Sequence, residues 1–289
     1  MSELSEKLGI RIGVPVEMLA VAVKESAIRC KTLDSNIPIT LRKVRLQVEG
    51  EILTVIPENL WQFGNTYHMS GNVKSVRIDI PALNLDPLAL RDPWPWDPKE
   101  QYWGESGDPS MKYFKDIINF GPRVSYEMEQ ILPLMDLDDP FDDPIIEAND
   151  LFETGYYEEA SRAIEPLLVS DIRCLDAHAH LGNWCFRSGR NAQSFSMEKA
   201  KKHYEIGVKI GEMSLPSDEN IVLPWARIDN RPFLRCLHGY GLSLWRMGQD
   251  KEAREQYERL LWFNPSDNQG ARFLLLDIDA GKTWEDVND

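Results

Sequence analysis

The chain is poor in the features that mark several large classes of protein. It has four cysteines in 289 residues, and Cys30, Cys174, Cys185 and Cys236 stand far apart with no C-x-x-C pair. That excludes a disulfide scaffold and leaves no zinc-ligand spacing, so the thiols read as buried side chains in a reducing compartment. Glycine is scarce for a collagen, at 18 residues without a G-X-Y period. Basic residues are in deficit, 32 against 47 acidic for a net charge of -15, which argues against nucleic acid or an anionic membrane as partner. No uncharged apolar run approaches the roughly 18 residues of a membrane span. A secretory leader is not expected, because Glu3 and Glu6 precede Lys7 and the first apolar stretch is broken by Pro15 and Glu17. The expected location is therefore the cytoplasm. There is no G-x-S-x-G elbow and no Walker loop, so no catalytic residue, cofactor or metal ligand is assigned.

What the chain does have is enough apolar residue, 43%, for a packed core, and a length that allows one large or two modest domains. Its first half mixes elements. Pro15 to Cys30 reads as a core helix with proline in its first turn. Residues 40–80 read as strands, with Leu41, Val44, Leu46 and Val48 alternating and Ser70-Gly71-Asn72 as a hairpin turn. Together they predict a small antiparallel β module, with closure into a barrel left open. Residues 86–109 then hold five prolines in 24 positions beside Trp94, Trp96 and Trp103. Proline opposes regular pairing and three tryptophans demand burial, which predicts a strap over the β module or the first repeat. Residues 110–132 read as helical.

The second half repeats. Ala148-to-Leu168, Ala179-to-Gly211 and Leu237-to-Pro265 each carry a small residue, a turn glycine, an alanine and a large residue four positions later. These are Ala148, Gly155, Ala160 and Ile164; Gly182, Gly189, Ala200 and Tyr204; and Gly241, Gly248, Ala253 and Tyr257. Small residues let two helix axes approach, the glycine permits a left-handed cap, and the large residue shares the alanine's face. Gly155 and Gly189 are 34 residues apart.

This pattern resembles the tetratricopeptide repeat (TPR), a 34-residue helix pair, over roughly Pro140 to Gly281. The second copy departs by an insertion around Asn191 to Ser196, and a long segment precedes the third. The chain as a whole is similar to uncharacterised bacterial TPR proteins, through RCLDAHAHLGN, RPFLRCLHGYGLSLWRMG and NPSDNQGARFLL. The likeness implies an α+β chain in three parts. They are a β module with strap over 1–109, a helical connector and acidic linker over 110–139, and a helical solenoid with a capping helix over 140–289. It also implies a concave face lined by the first helix of each pair, presenting Asn149, Asn183, Arg187, Arg235, His238 and Arg246 to a protein or peptide segment. Asn149 and Asn183 match the asparagines of peptide-clamping members and Arg235 a basic site, whereas Ile145 and Gly239 stand where two further cations belong.

Other candidates are weaker. His178 and His180 are two apart, about 200° on a helix, and cannot share one ion. His180 is expected to face packing and His178 the convex side. The run Asp136 to Pro144 lacks the glycine and glutamate of a calcium loop and reads as linker and helix N-terminus. Asp229 or Asn230 is expected to cap the helix of the third copy, and Asp267 or Asn268 the last helix. The segment from Leu223 to Gly241 is expected to fold back onto the concave side. The reading is an interaction protein. The alternatives are an enzyme or small-ligand binder with a site where the β module meets the first repeat, and a subunit of a homo-oligomer.

Overall fold

The computed structural model describes residues 3–24, 26–42, 47–105, 107–135, 143–188 and 194–288. The chain is α+β, with a β-rich N-terminal region and C-terminal helices. It divides into two compact units, Met1–Asp86 with Pro133–Ile172, and Pro87–Leu132 with Arg173–Asp289. Among the described residues no helix is long and apolar enough to cross a membrane.

The first unit opens with α1 (Glu3–Leu8) and five strands, β1 (Val16–Lys24), β2 (Ala27–Thr32), β3 (Pro38–Arg42), β4 (Ile52–Phe63) and β5 (Thr66–Arg77). They close into a barrel in the order β1-β2-β3-β5-β4, with β3 and β5 parallel and the other pairs antiparallel. Met18, Ile28, Ile39, Leu41, Val55 and Met69 belong to its core, with Leu8 and Ile10 packed into the same cluster. The expected helix from Pro15 to Cys30 is thus two strands. At the centre of β1, Ala20, Val21 and Ala22 are all buried, and pairing with β2 shifts between Ala20 and Ala22. A bulge of this kind breaks the two-residue period, and a short run buried on both faces looks the same as a core helix. The expected turn at Ser70-Gly71-Asn72 is also absent, because β5 runs straight through it. The hairpin turns instead at Gly64, φ 57°, and Asn65, between paired Phe63 and Thr66. Gly71 serves a close approach: a Cβ there would stand 2.3 Å from the carbonyl oxygen of Ile56, beside the bulge in β4.

The same unit holds α3 (Pro144–Glu153) and α4 (Tyr157–Ser170), joined through Gly155 at φ 91°. Asp143 caps α3 by accepting from the amides of Ile145 and Ile146; the remainder of the acidic run, 136–142, lies outside the described residues. Ala148, Ala160 and Ile164 are fully buried. α4 packs on β1.

The second unit combines a three-stranded sheet with the remaining helices. α2 (Lys115–Phe120) lies between β6 (Leu90–Trp96) and β7 (Arg123–Met128). β6 pairs antiparallel with β7, which pairs parallel with β8 (Ile221–Val222). The expected proline strap is therefore an edge strand, and the expected helix over 110–132 gives way to β7 after α2. Pro93 falls where pairing shifts between Arg91 and Trp94, the position an edge strand tolerates. Trp96 is buried and Trp103 packs edge-on against it, but Trp94 is 67% exposed, contrary to the burial expected of all three. Arg123 lies between the rings of Trp96 and Trp262, 4.8 and 4.2 Å from their centroids. It donates to the carbonyls of Ile221 and Trp262, and burial pulls its pKa down to about 10.

Six helices follow: α5 (Leu175–Ser188), α6 (Ser194–Glu212), α7 (Arg231–Arg246), α8 (Asp250–Phe263), α9 (Ala271–Asp279) and α10 (Trp284–Asn288). Neighbours in sequence from α5 to α9 pack together, and α5 also packs on α7. Tyr204 of α6 is seated against Gly182 of α5 and Gly239 of α7, where a Cβ would fall 2.6 and 2.3 Å from its ring. Tyr257 of α8 is seated in the same way on Gly241, at 2.7 Å. Gly248 turns at φ 72°. The turn assigned to Gly189, and the insertion as far as residue 193, lie outside the described residues. Asp267 caps α9 through the amides of Ala271 and Arg272. Asn230 precedes α7 but does not cap it. Its side chain accepts from the amide of Met128 and donates to the carbonyls of Tyr126 and Pro224, tying β7 to the loop before the helix.

Candidate functional site

Five of the six predicted residues lie on α5 and α7 of the second unit; Asn149 is half-buried on α3 of the first. Toward the start of the α5/α7 pair, Arg235 donates to Asp176 at 2.8 Å. Asp176 is 7% exposed, and His180 approaches it at 3.8 Å. A buried carboxylate needs such a partner, so this arginine is committed to the fold as well as to the surface. The loop before α7 comes back here. Trp225 lies 5.2 Å below the guanidinium of Arg231 and 5.9 Å from that of Arg235, and its carbonyl accepts from Arg231.

In the middle of the face, Asn183 is exposed and accepts a 2.6 Å hydrogen bond from the hydroxyl of Tyr204. That bond holds its amide in one orientation. His238, one turn along α7 from Arg235, packs beside Tyr257 with ring centroids 6.0 Å apart. Burial pushes its pKa down to about 4, so the imidazole is neutral at physiological pH. Gly239, at a site where a clamp has a cation, is taken up by Tyr204, and Ile145, at the other, is buried. Neither of these two positions therefore carries a cation.

Toward the far end, Arg246 donates to the carbonyl of Phe186 at 3.1 Å and lies 5.1 Å from that ring. Arg187, beside Phe186, is exposed. The indole of Trp284, from α10, packs edge-on against both Phe186 and Trp245, at 5.2 and 5.8 Å. Arg246 reaches it too, at 5.8 Å. Sequence reasoning stopped at Gly281 and passed over Phe186 and Trp284. The available signal was Thr283-Trp-Glu-Asp286, a capping-box pattern that opens a helix: Thr283 and Asp286 do bond each other, through the hydroxyl at 2.8 Å and the Thr283 amide at 2.7 Å.

The histidine pair divides differently from expectation. His178 is fully buried and faces His203, with their Nδ1 atoms 3.4 Å apart, while His180 turns to Asp176 and Trp184. Burial, with His178 beside it, holds the pKa of His203 well below its ordinary value. Among the described residues no group of three or more His, Cys, Asp or Glu is placed to hold a metal ion. Where the barrel meets α4, the charged contacts are Lys24 and Arg29 with Glu165, at 3.4 and 3.6 Å and with both cations more than half exposed. Pairs of that kind link surfaces rather than perform chemistry. No protein-family model matches the chain, and no curated protein matches it.

Proposed function

We propose that this protein is a non-catalytic, cytoplasmic interaction protein of the TPR class, whose α5/α7 face binds a segment of a partner protein. The observation that carries the reading is the repeated seating of a tyrosine on a glycine. Tyr204 on Gly182 and Tyr257 on Gly241 occupy corresponding places in two successive helix pairs. Aligned this way, α5 and α7 are the first helices of two repeats, and the face they share is the concave one. That face offers a guanidinium at each end, a tryptophan beside each guanidinium, and a fixed amide at Asn183 between them. An extended or helical segment with apolar and acidic side chains matches that sequence of groups.

A photo-crosslinking residue at position 187, on the face, tests the reading against one at position 251 of α8, whose lysine is 85% exposed. In host lysate, position 187 should trap one defined protein that position 251 does not. Identical trapping from both positions, or none from either, overturns the reading.

A further inference from the structure

We infer that the outward surface of β2, β3, β5 and β4 is a second binding site, for single-stranded nucleic acid, in which bases stack on Trp61 and Phe63 while Arg29, Lys31 and Arg42 meet the phosphates. It lies in the first unit and does not depend on the α5/α7 face.

Strand register puts these residues on one surface. In β3, Ile39 and Leu41 belong to the barrel core, so Thr40 and Arg42 point out. On β2, Ile28 and Cys30 in the core leave Arg29 and Lys31 outward. Met69 of β5 is in the same core and Leu60 of β4 packs against it, which turns His68 and Trp61 outward. The pairing then aligns them. Arg29 is opposite Thr40, Thr40 is opposite His68, and His68 is opposite Trp61. One row therefore crosses four strands, about 14 Å from cation to indole at the usual strand spacing. Arg42 follows Thr40 on this surface, and Phe63 follows Trp61. Arg29, Arg42, Trp61 and Phe63 are all exposed.

Three observations mark the surface as a place for a ligand. The first is its rings. Phe63 is 78% exposed, and Trp61 lies almost parallel to His68, at 12° and 5.5 Å between centroids. The barrel core gains nothing from a phenyl ring in water, whereas a base stacked on it covers both. The second is unmatched charge. Arg29 reaches Glu165 at 3.6 Å, but among the described residues the side chains of Lys31 and Arg42 have no ion-pair partner. The third is His68. It is 7% exposed, yet its Nδ1 has no hydrogen-bond partner. Burial, with the charge of Arg42 nearby, pulls its pKa below the ordinary value. A buried polar atom left unmet is a sign that a further group belongs beside it.

The ligand follows from that combination. Cations beside flat rings match a backbone of phosphates that carries planar bases. Trp61 and Phe63 are two residues apart on one strand, roughly 7 Å, a spacing that suits bases splayed from each other. In a duplex those base faces are hidden, so the rings select a single strand. The shortage of basic residues, which argues against nucleic acid for the chain as a whole, is not shared by this part. Residues 1–86 carry ten basic and ten acidic side chains, and the remainder carries 22 and 37. An acidic remainder confines a polyanion to the one surface where cations and rings meet.

The test is the anisotropy of fluorescein-labelled dodecamers of uridylate and of thymidylate added to the full chain, from about 50 to 200 mM NaCl. At least one should bind, and three cations give a slope of log K on log salt of about -2. Phe63→Ala removes a ring that is already in water, so the fold is spared, and binding should weaken at least about fivefold. Trp61→Ala should weaken it as much, and Trp61→Phe, which keeps a flat ring, should recover most of the loss. Lys31→Gln/Arg42→Gln should bring the slope to about -0.7, while Lys251→Gln, on exposed α8, should leave it unchanged. A duplex of the same length should bind at least about tenfold more weakly. No binding of either dodecamer at the lowest salt overturns the proposal, and so does binding that Phe63→Ala and the double substitution leave unaltered. Cosedimentation with phosphatidylserine–phosphatidylcholine vesicles while neither dodecamer binds also overturns it, because the surface then serves a membrane. Crosslinking from position 187 is blind to these outcomes, so either site can fail alone.

Discussion

Gly239→Ala is the sharpest probe of how the face is built. Its Cβ would stand 2.3 Å from Cε1 and Cζ of Tyr204, where carbon atoms prefer about 3.5–4.0 Å. Something must move by more than 1 Å, and the surroundings offer no easy way out. Tyr204 is 2% exposed, its hydroxyl is bonded to Asn183, and Gly182 of α5 touches the same ring. A ring pushed away from α7 therefore presses on α5, and the two helices must spread. Overpacking of this kind costs about 1–3 kcal/mol, and two backbones closing on one ring place it at the upper end. Alanine returns about 1 kcal/mol of helix propensity. The net is a loss of about 2 kcal/mol, or about 4–8 °C in Tm for a unit of this size. Urea unfolding followed by tryptophan fluorescence measures it. Tyr204→Leu, which opens space beside position 239, should make the same glycine substitution neutral or stabilising. If Gly239→Ala alone raises the midpoint, or if the two substitutions simply add, the ring is not held between two glycines and the argument fails.

Burial holds His238 near pH 4 against an ordinary 6.5, so between those values the unfolded chain binds the extra proton and this residue makes stability rise with pH. The advantage of wild type over His238→Gln should grow by about 3 kcal/mol from pH 4 to 7. Asp267 is pushed up from 3.8 to about 6 by burial; the folded state then holds the extra proton, and the advantage of wild type over Asp267→Asn should shrink by about 2 kcal/mol over the same range. Denaturant midpoints at three pH values decide both, and a flat difference refutes either. Arg123→Lys should cost about 2 kcal/mol, since an ammonium cannot stack between Trp96 and Trp262 while donating to two carbonyls; an unchanged midpoint would show that the sandwich is incidental. Arg235→Ala leaves Asp176 buried without its main partner, at about 1–2 kcal/mol once the arginine's partial exposure is discounted, and adding Asp176→Ala should recover part of the loss in a double-mutant cycle.

The packing of the second unit was legible because it is written in residue size at fixed intervals. Gly182, Gly241, Tyr204 and Tyr257 are each named by the rule that close helix axes need a small residue and that the neighbouring large one fills the gap. Asp143 and Asp267 were legible for a similar reason: a cap is a local event, decided by the next few amides. Asn230 shows the limit of that rule. It stands at the right place to cap α7, yet three backbone groups outside the helix claim its side chain, and nothing within a few residues announces them.

The first unit resisted for a physical reason, which is that burial erases the patterns that distinguish strand from helix. β1 reads as a helix because its bulge puts Ala20, Val21 and Ala22 out of water together. Gly71 reads as a turn because a glycine demanded by a backbone contact looks the same as one demanded by a turn. The same ambiguity governs the candidate site. Arg235 was readable as a partner-binding cation or as a structural one, and its bond to buried Asp176 makes it structural first. Arg246 carries the same ambiguity: it donates to the carbonyl of Phe186 and stands over the rings of Phe186 and Trp284, contacts that settle a long side chain in the fold whether or not a partner ever meets its charge. A cation at a fixed repeat position therefore says where a side chain starts, and only the groups packed round its far end say what it serves.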